Sequence, residues 1–175
     1  LIWHIHYFKM LAERSHSGRL TVVAQPSTLA KAFIGSEPWV EKIIDHDHRP
    51  RRGEKRRGRH AGLAGMYRMA CELREGKYDR IIVFSGRISR GLIAYLSAIP
   101  TRMGFGYRRL QRLCLNQGPY IPAHAGPSVA VFHEASAFMV AHGYCQAPVV
   151  PRLEPPADLV NQMRQRLAGL PRPLY

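Results

Sequence analysis

Arginine is the residue type through which this sequence offers chemistry, and it does so in three clusters. The first is Arg49-Pro50-Arg51-Arg52-Gly53-Glu54-Lys55-Arg56-Arg57-Gly58-Arg59-His60, seven cations against one acid. Guanidinium forks bind phosphates and carboxylates bidentately, which makes Arg49, Arg51, Arg52, Lys55, Arg56, Arg57 and Arg59 candidates for holding an anionic ligand. The plainer alternative is a solvated charge run. The second cluster is Ser85-Gly86-Arg87-Ile88-Ser89-Arg90. Backbone N–H groups at a helix start, beside Arg87 and Arg90, favour an anion, while Ser85 and Gly86 are also ordinary capping residues. The third is Arg102, Arg108, Arg109 and Arg112, which follows a later strand.

Histidine offers less. His46 and His48 alternate with Asp45 and Asp47, but side chains two apart share a side only if a strand continues that far, and no third ligand is apparent, so no metal site is predicted. His4 and His6 lie two apart on a helix and do not face each other. His133 beside Glu134, and the lone His124 and His142, read as surface or capping groups. Gly104-x-Gly106 is not a dinucleotide fingerprint, since Arg109 stands at the third glycine position. The sequence shows no Ser/His/Asp ordering and no P-loop, and no cofactor is called for.

The elements that would position these arginines follow from hydrophobic spacing. Leu1, Ile5, Phe8 and Ala12 predict an amphipathic helix over residues 1 to about 15, ended by Gly18. Leu20–Ala24 is a short buried strand, and Ser27 caps a helix through about Phe33. Val40–Asp45 is a second strand, and the basic stretch behind it reads as an exposed, mobile loop with no core-forming residue. Leu63, Met66, Tyr67, Ala70 and Leu73 mark a helix closed at Glu75-Gly76. Ile81–Phe84 then reads as a strand buried on both faces, central in a sheet. Ile88, Leu92, Tyr95 and Ile99 mark the next helix, and Pro100–Tyr107 a strand leaving through a glycine-rich bend. Val131, Ala135, Phe138, Met139 and His142 mark a helix stopped by Gly143. Pro148–Pro156 is an extended connection before a last short helix with Val160, Met163 and Leu167. Strands alternating with helices predict an α/β fold, a Rossmann-like parallel sheet with helices on both faces. In such a sheet ligands bind at the carboxyl ends of the strands, where the basic loop and the Ser85-Gly86-Arg87 turn both fall.

Composition bounds the reading. In 175 residues, 46% hydrophobic and 22% charged content is that of a globular domain. The 26 Lys+Arg against 12 Asp+Glu, formal charge +14, call for a polyanionic partner. Three widely spaced cysteines, Cys71, Cys114 and Cys145, support neither a disulfide framework nor a zinc ribbon and suit a reduced, cytoplasmic setting. No apolar run approaches the roughly 20 residues that span a bilayer.

The order of elements and several local patterns resemble the amino-terminal half of the ADP-heptose:lipopolysaccharide heptosyltransferases, glycosyltransferase family nine. The similar stretches are Gly18–Ala24 followed by Pro26, Lys77–Gly86, Arg90–Ala98, Thr101–Phe105, and His133-Glu134 through His142-Gly143. The resemblance implies a GT-B enzyme of two Rossmann-like domains, the first holding the acceptor and the second the nucleotide sugar. Residues 1–170 would be the acceptor domain lacking its first strand, and residues 171–175 the start of a linker to the donor domain. It implies an inverting, cation-independent transfer of heptose, or a related sugar, from a donor such as ADP-heptose to an anionic lipopolysaccharide core acceptor. A carboxylate would deprotonate the acceptor hydroxyl. The family's catalytic aspartate is expected before Leu1, so the chain by itself is expected to be inert. Arg49, Arg51, Arg52, Lys55, Arg56, Arg57, Arg59, Ser85, Gly86, Arg87, Arg90 and Arg108 would line the acceptor side. The expected setting is cytoplasmic, peripheral to the inner membrane face, with an anionic glycolipid partner, no nucleic acid, and a monomer when full length. The alternative is a basic nucleic-acid or anionic-membrane binding module. Residues 49–60 contain no Phe, Tyr or Trp for base stacking, which counts against single-strand binding.

Overall fold

Two parallel strand pairs between helical layers form the chain's framework. The structure, a computed structural model, describes residues 2–49, 56–123, 132–150 and 157–168. A 3-10 turn over Ile2–His4 leads into α1 (Ile5–Glu13), and the turn behind it closes at Gly18, whose φ of 69° suits glycine. The strands β1 (Leu20–Ala24) and β2 (Val40–Asp45) have the predicted bounds and pair in parallel, Val22 against Ile43 and Ala24 against Asp45. Ser27 is not a cap: it lies in a 3-10 turn, Pro26–Thr28, and α2 (Ala30–Ile34) starts only after Leu29 turns left-handed at φ 51°. Then follow α3 (Gly62–Glu75), β3 (Arg80–Val83), α4 (Ile88–Leu96), β4 (Thr101–Gly104) and α5 (Arg109–Cys114). Last come α6 (Phe132–Ala141) and α7 (Ala157–Leu167). The end of α6 at Gly143 is as predicted: its φ is 68°, its N–H donates to Val140 O and that of Tyr144 to Met139 O, closing the last turn.

The alternation of side chains along each strand assigns the layers. On one side Val22 packs with Ala12 of α1 and Ile34 of α2, while Ile82 and Met103 pack with Tyr7 of α1 and with Phe138 and Met139 of α6. On the other, Ile44 and Ile81 pack with Met69, Ala70 and Leu73 of α3 and Ile93 of α4. Thus α1 covers both strand pairs on one face, α3 and α4 cover them on the opposite face, and α5 packs on α4. Burial of these large apolar side chains, each contributing about 1.5–3 kcal/mol, holds the layers together.

Several expectations are corrected. The strand at Ile81–Phe84 is neither central nor buried on both faces: β3 spans Arg80–Val83, pairs only with β4 among the described residues, and buries Val83 fully but Ile81 and Ile82 only in part. Phe84 leaves the strand because its ring fills an aromatic cluster with Phe8, Phe105 and Phe138, at centroid distances of 6.0, 5.9 and 5.4 Å. Tyr95 is not core; it is 53% exposed, with the Arg102 guanidinium over its ring. Leu63 and Tyr67 are likewise exposed, and the buried face of α3 is Gly65, Met69, Ala70 and Leu73. Val131 and the connection over 151–156 lie outside the described residues.

Candidate anion site at the carboxyl edge

Behind β2 the chain closes on itself instead of standing free. Asp47 Oδ2 accepts from Arg56 Nη1 at 2.5 Å and from the Arg59 N–H at 3.3 Å. The Asp47 N–H donates to His60 Nδ1 at 3.1 Å, and the His60 N–H donates to Asp47 O at 2.7 Å. Arg59 is ion-paired with Glu72 of α3, and Arg68 Nη1 donates to Arg59 O at 2.8 Å. Over the described residues 56–60 these bonds correct the expectation of an exposed loop with no core-forming residue: His60 is 2% exposed, and a Cβ on Gly58 would stand 2.6 Å from Asp47 O. The composition hides the closure because one carboxylate, Asp47, organises several donors. Arg56 and Arg59 therefore serve the loop's own fold. Arg57 is exposed beside Gly62. Arg51, Arg52 and Lys55 lie outside the described residues.

The Ser85-Gly86 turn is also filled. Ser85 Oγ accepts from the Arg87 N–H at 3.3 Å, Gln111 Nε2 donates to Ser85 O at 2.5 Å, and the Tyr107 ring lies 2.4 Å from where a Gly86 Cβ would be. Ser85 and Gly86 thus hold and fill the turn ahead of α4, and neither caps the helix. Of the third cluster, Arg102 donates to Cys114 O and Ile99 O, and Arg112 to Gly106 O with its guanidinium over Tyr120. Those two arginines fasten loops. Arg108 stands exposed at the amino end of α5, and no contact among the described residues joins it to the other arginines of the edge.

What the structure does bring together is Arg90 with two histidines. Arg90 sits in the first turn of α4, and its guanidinium reaches across to the residues that follow β2. Nη1 lies 2.5 Å from His46 Nδ1 and 2.8 Å from its Nε2, and Nη2 lies 3.3 and 3.2 Å from the same atoms of His48. The rings of His46 and His48 are 5.0 Å apart at 37°, and His60 stands 5.5 Å from His46. The His46 N–H donates to Ala24 O at 2.7 Å, which fixes this residue at the carboxyl ends of β1 and β2. Contact between Arg90 and His46 therefore sets the carboxyl ends of both strand pairs side by side.

Positive charge prevails in the electrostatics, with Asp47 acting the other way on His46. Burial, and then the charge of Arg90, hold the His46 imidazole down to about 3; burial and Arg90 likewise lower His48, with Arg49 and Arg87 adding to the effect. Both rings are neutral at pH 7 and accept from the guanidinium. Arg90 is itself lowered to about 10 by burial and by the charges of Arg87 and Arg49. The described ion pairs are Lys31–Asp45, Arg56–Asp47, Arg59–Glu72 and His60–Glu72; none includes Arg49, Arg87 or Arg90. A half-buried guanidinium beside two further cations with no carboxylate opposite is an uncompensated positive charge, which an anion would balance. The opening of α4 adds to it, having no side-chain cap and no acid in its first turn.

The sequence picked out Arg49, Arg87 and Arg90 but missed His46 and His48 as their partners. The available signal was their place, directly after β2 and at the edge where Arg90 emerges. Among the described residues no three His, Cys, Asp or Glu side chains converge as metal ligands would. None of the helices described is long and apolar enough to cross a membrane. No protein-family model, curated protein or solved structure matches the chain.

Proposed function

We propose that the chain is the acceptor-binding part of a glycosyltransferase of the family-nine, heptosyltransferase type, acting on an anionic glycolipid. The observation that carries this reading is the uncompensated cationic group of Arg49, Arg87 and Arg90 at the common carboxyl edge of β1, β2 and β3. On this reading the two parallel pairs, which share no strand pairing among the described residues, stand side by side as a Rossmann-like α/β layer, and the helices on both faces support that arrangement. An anionic acceptor such as a phosphorylated, Kdo-bearing lipid would rest on this edge, and the arginines would orient it for attack on a nucleotide-activated sugar. The arginines bind and position; neither they nor the neutral histidines supply the carboxylate base that the chemistry needs. That base and the donor site belong to other parts of a two-domain GT-B enzyme.

The reading is tested by binding. A Kdo-bearing lipid A analogue in mixed micelles should bind the chain, and the Arg87→Gln/Arg90→Gln double variant should bind at least about tenfold more weakly, the cost of losing charge-assisted contacts. A neutral glycolipid should bind neither. Equal affinity of the chain and the double variant for the anionic lipid would contradict the assignment.

A further inference from the structure

His48 is the imidazole at the edge that is in contact with Arg90 and also open to solvent. It is partly exposed, it touches Arg90 Nη2, and its own ring Nδ1 lies 3.4 Å from His46 O. The groups that act on it are Arg90 and Arg87 from the start of α4, Arg49 beside it, and the neutral His46 behind it. Further out, Asp47 is engaged by Arg56 and the Arg59 N–H, and His60 by the Asp47 N–H and Glu72. Every full charge that bears directly on His48 is therefore positive.

We propose that Arg49, Arg87, Arg90 and His48 form a binding site for a dianionic tetrahedral oxyanion, carried as a phosphate or sulfate monoester, and that the anion enters together with a proton taken up by His48. The proposal rests on the anion-binding reading above and names the ligand class and its coupling. A carboxylate offers one negative charge in a plane, whereas Arg90 and a protonated His48, in contact with each other and under the added positive charge of Arg49 and Arg87, favour a group that carries two charges and several acceptor oxygens. An anion between these cations cancels the repulsion that keeps His48 neutral, so the bound state holds a proton more readily than the free state. Proton and anion binding then strengthen each other by the same factor, as linkage requires. The neutral ring that holds Arg90 in the free protein becomes a fourth donor in the bound one.

Sulfate keeps its charge from pH 5.5 to 7.5 and isolates the effect. In calorimetric titrations of the chain with sulfate at pH 6 in two buffers of different ionisation enthalpy, the heats should differ, as proton uptake on binding requires. Affinity should rise about fivefold from pH 7.5 to 5.5. His48→Gln should still bind sulfate, with no proton uptake and little pH dependence, and the His48 Cε1–H resonance of the wild-type chain should titrate at higher pH with sulfate than without. Sulfate binding without proton uptake, or with pH-independent affinity, would overturn the coupling while leaving the anion site in place. No sulfate binding, or undiminished binding by Arg90→Gln, would overturn the anion site itself. Glucose 1-phosphate and inorganic phosphate, titrated in parallel, identify the carrier: tighter binding of the sugar phosphate supports a monoester ligand, and tighter binding of the free ion overturns that part.

Discussion

Arg90 shows how a single residue can be placed at a cost to stability. Its guanidinium is half-buried, it faces two imidazoles that must stay neutral, and two more arginines press on it. The neutral histidines have a consequence for pH. His46 is lowered to about 3 and His4 to about 4, both chiefly by burial, and His48 and His142 are lowered too. In the unfolded chain these groups titrate near 6.5. Between that pH and their folded values the unfolded state binds more protons, so stability falls as the pH falls. Urea unfolding should show full stability above pH 6.5 and a loss of several kcal/mol by pH 4. Stability that is flat or rising on acidification would contradict neutral, buried imidazoles. The Arg90–His46 contact was not legible in the sequence, because it joins residues 44 apart, one in the first turn of α4 and the other directly after β2. The arginines themselves were legible by type, and their fates were not: Arg56, Arg59, Arg102 and Arg112 carry the same charge as Arg90 but spend it on a carboxylate or on carbonyl oxygens of their own loops.

At the scale of elements, reading the sequence works where a short β-branched run stands between turns, as in β1 and β2, whose bounds it reproduces. It slips at β3, because Phe84 extends the apolar run in sequence while its ring belongs to a cluster between helices. It misreads α3 because Leu63 and Tyr67 fit the helical period as well as the true buried residues do. What decides between the faces is Gly65, on which the backbone of His60 lies so closely that a Cβ would stand 2.2 Å from His60 C. This contact docks the closed basic loop on α3. Alanine is favoured over glycine within a helix by about 1 kcal/mol. Gly65→Ala should nevertheless destabilise the protein by about 2 kcal/mol or more in chemical denaturation, since backbone and not a flexible side chain must move. A stabilised Gly65→Ala variant would show that the loop does not pack on α3 as described.

Across the described residues, helices on both faces hold two parallel strand pairs with their carboxyl ends together, and Arg90, half-buried beside Arg49 and Arg87, stands at that edge without an ion pair. The general architecture followed from the alternation of strands and helices. The joining of the two pairs did not, because it depends on α1 and α3 each covering both, which periodicity along one helix does not encode. The central claim, that this edge is built to hold an anion, is tested most directly by crystals of the chain grown or soaked in selenate. An anomalous selenium peak should stand between Arg87, Arg90 and His48, with selenate oxygens about 2.7–3.2 Å from the Arg90 Nη atoms. Selenate bound elsewhere on the surface, with Arg90 still closed on His46 and His48, would contradict it.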